Sequence, residues 1–436
     1  MARIVSEERL PREEMTALQL ERLQQTLTYA GQRVDFYRRL FAKHNLNPQD
    51  ITSLDHLSQL PFTQKDDLVQ NYPYGMCAVD PSEIIRVHAS SGTTGKPINV
   101  YYTRRDQEHW QKCMGRNLSI AGVTEKDVCQ IAFRYTLFTG AFGHHLGAER
   151  CGAMVIPTSS GQTERQIMMM RDLKTTVLHC TPSYALVVAE KLQELGVPLQ
   201  ELSLRLGIHG AEPMSEEMRK RIEEGLGVTA LRDYGLTEFG GPGVSIECPH
   251  KTGFHINEDY FYPEIIDPAT LEKLPPGEIG ELVFTSLQKD AVPLIRYRTR
   301  DITHLMYDTC ACGRTLVRHG PILGRTDDML IVGGVNFFPS QLESLLLSFA
   351  ETAPHYTIHL TKRGAVDYVS AEVEAVAAFW AEAGESRLME VTQRIEAKIK
   401  DMLGFRIYVQ LKEPSSILRS EGKSKRVFDD RYSGSQ

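Results

Sequence analysis

Apolar runs and amphipathic stretches alternate through the middle of this chain, and that order limits the folds open to it. Residues 128–133, 154–157, 177–180, 206–209 and 230–233 read as strands, and 163–172, 182–195 and 215–226 as helices. Repeated strand–helix–strand order predicts an α/β fold built on a largely parallel, doubly wound sheet. Ligands of such sheets bind beyond the C-terminal ends of the strands. Gly-Ala-Glu-Pro at 210–213 and Tyr-Gly-Leu-Thr-Glu at 234–238 both fall at such ends.

Upstream, residues 88–97 read His-Ala-Ser-Ser-Gly-Thr-Thr-Gly-Lys-Pro between two β-like stretches, 83–87 and 98–102. Glycines let a backbone turn tightly and bring N–H groups to an anion. Hydroxyls add donors and a lysine adds charge. The G-x-x-x-x-G-K-[ST] spacing of a Walker A loop is absent, and Pro97 follows the lysine. The flanking strands predict a phosphate-gripping hairpin; the plainer reading is a polar, Gly-rich surface turn.

Composition excludes several classes. With 42% hydrophobic and 24% charged residues in 436, the chain is an ordinary globular one with a sizeable core. A net charge of −7 and the lack of a basic run argue against a nucleic-acid binder. No apolar run reaches membrane-spanning length, so no membrane partner is expected. The charged N-terminus has no signal-peptide core, and eight cysteines are too few for a disulfide scaffold. Reduced thiols in a cytoplasm are therefore expected. Cys77, Cys113, Cys129, Cys151 and Cys180 are expected to act as small hydrophobes.

Residues 11–43 read as one helix, a candidate homodimer element. Residues 54–60 read as a strand or turn before a short helix opened by a threonine cap. Residues 106–120 read as a helix. Residues 134–145, rich in aromatics and glycine, read equally as a pocket lining or as core. From His255 the pattern turns β-rich, with strands at 260–266, 280–285 and 292–297. Beyond a charged break at 324–328 come a strand at 329–332, a Gly-Gly turn and a helix at 339–349. Strands near 356–361 and 366–373, a helix at 387–403 and a last strand at 406–411 complete a compact α+β domain. Leu388, Val391, Ile395, Ile399 and Met402 form one apolar helix face, and Gly404 is its stop.

These pieces, in this order, resemble the phenylacetate-CoA ligase family of the adenylate-forming (acyl/aryl-CoA synthetase) superfamily. The resemblance rests on Ser-Ser-Gly-Thr-Thr-Gly-Lys-Pro at 90–97, Leu-Phe-Thr-Gly at 137–140, Gly-Gln-Thr-Glu at 161–164 and Thr-Pro-Ser-Tyr at 181–184. It continues through 210–213, 234–238, Gly-Phe-His-Ile-Asn-Glu-Asp at 253–259, Ile-Arg-Tyr-Arg-Thr-Arg-Asp at 295–301 and Gly-Arg-Thr-Asp-Asp-Met at 324–329. Gly-Val-Asn-Phe-Phe-Pro-Ser at 334–340 and Arg-Ser-Glu-Gly-Lys at 419–423 complete it. It implies a large N-terminal adenylate-forming domain with parallel sheets and a small β-rich subdomain (1–324), a hinge (325–327) and a small mobile α+β C-terminal domain (328–436). It also implies that ATP and a carboxylate form an acyl-adenylate and pyrophosphate, after which CoA thiol gives a thioester and AMP.

By that resemblance Ser90, Ser91, Gly92, Thr93, Thr94, Gly95 and Lys96 hold the departing phosphates. Glu238 holds Mg²⁺, for which a carboxylate oxygen is a suitable hard ligand. Ala211, Glu212, Pro213, Asp233, Tyr234, Gly235 and Thr237 belong to the nucleotide segments. Asp301 accepts from the ribose hydroxyls, and Arg325 contacts ribose or phosphate. Lys423 is the catalytic lysine, with Lys425 its nearby competitor, and Asp327 is the hinge. Phe133, Tyr135, Phe138 and Ala211 line the acyl pocket. Family members that use phenylacetate tend to read Tyr-Gly-Tyr-Gly-Leu-Phe where this chain has Phe-Arg-Tyr-Thr-Leu-Phe at 133–138. Arg134 and Thr136 add bulk there, so the expected substrate is an aromatic or arylacetic acid that need not be phenylacetate.

Cys248, His250, Cys310 and Cys312 supply a Cys3His set, enough to close a tetrahedron around structural Zn²⁺. His250 is preferred to His255, which belongs to the 253–259 motif. Two other readings of the chain stand beside the ligase. One is an adenylyltransferase acting on a cofactor hydroxyl without CoA; the other is a zinc-stabilised nucleotide sensor without turnover.

Overall fold

A computed structural model describes residues 6–90, 97–332, 335–363, 366–418 and 426–431. The chain divides into two compact units. The first comprises Met1–Cys180, Gln200–Ala211 and Thr229–Ile322; the second comprises Thr181–Leu199, Glu212–Val228 and Leu323–Gln436.

In the first unit, β1 (Arg86–Ala89) and β2 (Asn99–Tyr102) pair antiparallel, as the flanking runs predict. The main sheet draws on β3 (Val128–Ile131), β4 (Met154–Ile156), β5 (Val177–Cys180), β6 (Leu206–His209) and β7 (Thr229–Leu236). These five run parallel in the order β7-β6-β5-β3-β4. Every residue of β5 and β6 is buried, as expected of parallel strands covered on both faces. The sheet then continues antiparallel through β8 (Gly241–Glu247) and β9 (Phe254–Ile256). A separate antiparallel sheet holds β10 (Phe261–Ile266), β11 (Gly280–Ser286) and β12 (Tyr297–Thr303). Strands β13 (Leu305–Met306) and β14 (Arg318–His319) close the far edge of the main sheet against β9.

Several local expectations are corrected. The 11–43 helix is two, Arg12–Arg33 and Asp35–Lys43, because Val34 is extended (φ −111°, ψ 114°). Its apolar stripe, including Leu23, Leu27 and Ala30, is spent on the chain's own core. Residues Leu54–Gln59 form a 3₁₀ helix, and Gln64, not Thr63, precedes the short Lys65–Gln70 helix. Thr63 is instead buried, donating to the Ile295 carbonyl at 2.7 Å. The strand expected at 292–297 begins only at Tyr297; Val292, Leu294 and Ile295 are buried without a ladder.

The stretch at 140–150 is a helix, Gly140–Arg150. Its glycines hid it, because glycine weakens helix propensity. They serve close packing instead. A Cβ on Gly143 would lie 2.6 Å from Pro242 and 2.8 Å from Trp110, and one on Gly147 2.8 Å from Met114. Trp110 and Met114 belong to the Arg104–Ala121 helix, which Thr103 and Asp106 open with a capping box.

The second unit has a four-stranded sheet in the order Tyr408–Lys412, Val366–Ala375, Thr352–Arg363, Val427–Asp429. The last strand was not legible in the sequence. Ile358, Leu360, Val369, Ala371 and Val373 pack with Val391, Ile395 and Ile399 of the Glu385–Leu403 helix, whereas Met402 is exposed. Helices Pro182–Glu194 and Glu216–Leu226 belong to this unit. Arg221 donates to the carbonyls of Leu347, Phe349 and Thr352, satisfying acceptors at the end of the Pro339–Leu347 helix. Among the described residues no helix is long and apolar enough to cross a membrane.

Candidate functional site

Beyond the β1–β2 ladder, Ser90 and Ile98 are joined twice. Ser90 N donates to the Ile98 carbonyl at 2.9 Å, and Ile98 N to Ser90 Oγ at 3.0 Å. Ser91, Gly92, Thr93, Thr94, Gly95 and Lys96 lie outside the described residues, as do Lys423 and Lys425. His88 Nδ1 lies 3.0 Å from the Leu137 carbonyl, and the ring packs against Tyr102, Trp110 and Phe142. The hairpin is thereby joined to the 134–139 segment.

The strand ends carry the predicted nucleotide residues of this unit. A Cβ on Gly210 would lie 2.8 Å from the Asp233 carbonyl, so only glycine lets the β6 end approach β7 this closely. Ala211 then takes φ +71°, a left-handed backbone unusual for alanine. Strain of this kind gathers at functional sites. Tyr234 donates to Asp301 Oδ2 at 2.6 Å, fixing that carboxylate beside the end of β7. The Tyr234 ring meets His319 edge-on, with centroids 5.0 Å apart, and His319 stacks on Phe254 at 4.5 Å. His319 Nδ1 lies 2.7 Å from the Gly320 carbonyl and Nε2 2.7 Å from Ser245 Oγ. Burial pushes this imidazole down to about 4, so it is neutral and Nδ1 carries the proton.

Gly235 packs against the Gly241 carbonyl, and Thr237 and Glu238 sit on a short 3₁₀ turn closed by Gly240. Tyr297 donates to Glu238 Oε1 at 3.0 Å. Glu238 is half-buried, so its carboxylate is held yet open to a ligand. Asp233 differs: its carboxyl turns inward, with Oδ1 3.2 Å from Asn117 Nδ2 and Oδ2 3.5 Å from His144 Nε2. Burial pushes that carboxyl up to about 8. It is a buried neighbour of His144 and Asn117.

Of the predicted acyl-pocket residues, Phe133 is buried and stacks on His144 with centroids 4.8 Å apart. Tyr135 hydrogen-bonds His145 Nδ1 at 3.0 Å, and Glu149 lies 3.1 Å from His145 Nε2. Burial raises the Tyr135 phenol above its ordinary range. Phe138 is exposed. Sequence reasoning missed His144, His179, His319 and Tyr297. The adjacent histidines at 144–145 were visible, but no local signal separated a buried ring from a surface one.

In the second unit, Glu212 Oε1 accepts from Ser183 N at 2.7 Å, where it caps the Pro182–Glu194 helix. Pro213 follows it. Arg325 and Asp327 form a two-pronged ion pair at 2.9 and 3.0 Å.

The metal set is corrected. Cys248, His255, Cys310 and Cys312 bring their ligand atoms within 4.8 Å of one another, and His250 is exposed outside the group. The reason is the β8–β9 turn. Lys251 N closes it on the Cys248 carbonyl, sending 249–250 to solvent and returning His255 along β9. Arg318 of β14 pairs with His255, so the loop before β14 brings Cys310 and Cys312 over β9. Cys248 and Cys310 sulfurs are 3.7 Å apart, and Cys312 Sγ is 3.5 Å from His255 Nε2. A tetrahedral zinc–thiolate site has a sulfur–sulfur edge of about 3.8 Å, so the set fits that ion.

The AMP-binding enzyme family matches residues 14–288, and its C-terminal domain matches 334–431. The chain belongs to the AMP-binding enzyme family. The enzyme is 47% identical over 435 residues to a phenylacetate-coenzyme A ligase of Thermus thermophilus, covering 97% of this chain and 98% of that one. It is 46% identical over 419 residues to an Escherichia coli phenylacetate-coenzyme A ligase, covering 96% and 95%. A crystal structure of 2-hydroxyisobutyryl-CoA ligase in the postadenylation state, in complex with an acyl-AMP, superposes with a TM-score of 0.92. The two are 28% identical, with 98% of this enzyme and 92% of that chain covered.

Proposed function

We propose that this AMP-binding enzyme is an AMP-forming aryl-CoA ligase acting on an aromatic or arylacetic acid. The observation that carries the reading is the Tyr234–Asp301 pair. It presents a fixed carboxylate at the C-terminal end of the parallel sheet, where a ribose with two hydroxyls is the fitting partner. Near-full-length identity to phenylacetate-coenzyme A ligases supports the rest.

In the first step a carboxylate oxygen attacks the α-phosphorus of ATP, and the bond to the bridging oxygen breaks as pyrophosphate leaves. A carboxylate is repelled by the triphosphate, so the task is charge neutralisation and in-line positioning. Residues 90–96 hold the departing phosphates, and Lys423 bridges the carboxylate and the α-phosphate. Glu238 is the residue to hold Mg²⁺, which supplies neutralising charge when bound. Asp301 orients the ribose, and the backbone from Ala211 to Pro213 and from Asp233 to Thr237 takes the adenine side, with Arg325 toward ribose or phosphate. In the second step the CoA thiol loses its proton, adds to the acyl carbonyl and expels AMP. Asp327 is the hinge between an adenylation domain, 1–324, and a C-terminal lid, 328–436. The Arg325–Asp327 ion pair is a contact that hinge motion can exchange. Cys248, His255, Cys310 and Cys312 are the residues that would hold a structural Zn²⁺, whose binding would add folding energy at β9 and the loop before β14.

Pyrophosphate release and acyl-CoA formation, measured with ATP over arylacetates, benzoates and short acids, test the reading. CoA-dependent thioester from an aromatic acid supports it. Pyrophosphate release with a hydroxyl acceptor and no CoA points to an adenylyltransferase, and nucleotide binding without release points to a sensor.

A further inference from the structure

Beneath Phe133 lies a chain of buried polar side chains that the ligase mechanism does not use. Asn117 donates to Asp233 Oδ1, Asp233 Oδ2 faces His144 Nε2 at 3.5 Å, and His144 Nδ1 faces His179 Nδ1 at 3.1 Å. All four residues are buried. Two ring nitrogens facing each other require one donor and one acceptor. If Asp233 carries the proton, His144 Nε2, 3.5 Å from Oδ2, is left as the bare ring nitrogen. His144 Nδ1–H then donates to His179 Nδ1, and His179 Nε2 ends the chain as an N–H. If Asp233 is ionised, Asn117 still donates to it, the bond between His144 and His179 reverses, and His179 Nε2 ends the chain as a bare acceptor. In both cases the terminal atom is buried without a hydrogen-bond partner among the described residues. An orphaned buried donor or acceptor loses its hydration without compensation, so such atoms are normally matched. Burial pushes Asp233 up to about 8 and His144 down to about 3, favouring the arrangement with a terminal N–H.

The chain's position links it to the acyl site. His179 is the third residue of β5, paired to Ile131 at the end of β3 on one side and to Ile208 of β6 on the other. Phe133, two residues past that end of β3, stacks on His144. The terminal nitrogen thus belongs to the C-terminal edge of the parallel sheet, where its ligands bind.

We propose that His179, oriented through His144 and Asp233, is the specificity-determining floor of the acyl site, and that it selects a carboxylic acid whose ring bears an oxygen substituent able to accept a hydrogen bond. This rests on the aryl-CoA ligase reading and names its substrate class. A site built to hydrogen-bond a substrate group discriminates strongly against the analogue lacking it.

The test compares kcat/KM for phenylacetate with its three ring-hydroxylated isomers, and for benzoate with the hydroxybenzoates, using the full chain. At least one hydroxylated acid is expected to be favoured over its parent by about tenfold or more. His179→Leu should bring that ratio close to one, and His179→Gln, which keeps a donor, should retain part of it. If the parent acids equal or surpass every hydroxylated isomer in the unaltered enzyme, the inference falls whether or not the variants fold. It falls equally if His179→Leu melts like the parent protein and keeps the ratio. Pyrophosphate from every acid without preference overturns the inference alone, whereas pyrophosphate from none overturns the ligase reading as well.

Discussion

Tyr234 and Asp301, 67 residues apart in the chain, meet through a 2.6 Å hydrogen bond. A short hydrogen bond to a carboxylate oxygen is stronger than an ordinary neutral one, so it helps to fix the orientation of the Asp301 carboxyl. Tyr234→Phe is expected to raise the KM for ATP about three- to tenfold with a smaller change in kcat, a positioning loss of about 1 kcal/mol. Asp301→Ala, which removes the acceptor itself, should raise it further. Initial rates at varied ATP separate the two, and an unchanged KM in both would remove the ribose assignment.

Metal analysis of the purified protein is expected to give one zinc per chain. Cys248→Ser or Cys312→Ser should abolish stoichiometric binding and lower the unfolding temperature, because binding energy at a structural site is folding energy of several kcal/mol, by order of magnitude. His250→Ala should leave both unchanged. Zinc lost in His250→Ala and kept in His255→Ala would return His250 to the ligand set.

Gly143→Ala must place a methyl 2.6 Å from Pro242 and 2.8 Å from Trp110, a contact that has to be relieved by moving the helix. Overpacking of this kind costs roughly 1–3 kcal/mol. Gly384→Ala, where a Cβ meets nothing within 4 Å, is the control and should be near neutral. Urea midpoints of the two variants check the difference.

Asp233 and His144 set opposing pH dependences. Asp233 is raised in the fold to about 8, so its contribution is intact at low pH and is lost as pH rises toward 8. His144 is lowered to about 3, so its contribution is intact above the ordinary histidine range and is lost as pH falls. Of these two groups only Asp233 acts between pH 6.5 and 8, and its own contribution should fall by at most about 2 kcal/mol there. Asp233→Asn should flatten that decline. A decline of equal size in Asp233→Asn would show that another group is responsible.

Lys423→Ala should suppress pyrophosphate release far more than thioester formation from supplied acyl-adenylate, since its charge is needed where pyrophosphate departs. Equal loss in both half-reactions would sink the assignment.

Much of the fold is legible in the order of residues alone. The parallel strands at 177–180 and 206–209 and the helix at 163–172 coincide with their observed bounds, because apolar runs and helical periodicity are local signals. The Gly140–Arg150 helix was not legible, because its glycines answer to Trp110, Met114 and Pro242, which are distant in the chain. The sequence favoured His250 over His255, and only the β8–β9 turn brought His255 into the group instead.

Local sequence settled the order of strands and helices and which chemistry-bearing residue types stand near strand ends, since backbone preference and hydrophobic period act over a few residues. Which of those residues meet was a matter for the tertiary fold. It joined Tyr234 to Asp301, turned the Asp233 carboxyl inward towards His144, and completed the cysteine cluster with His255. Those outcomes depend on strand register and on packing between segments far apart in the chain, where a shift of one residue sends a side chain to the opposite face.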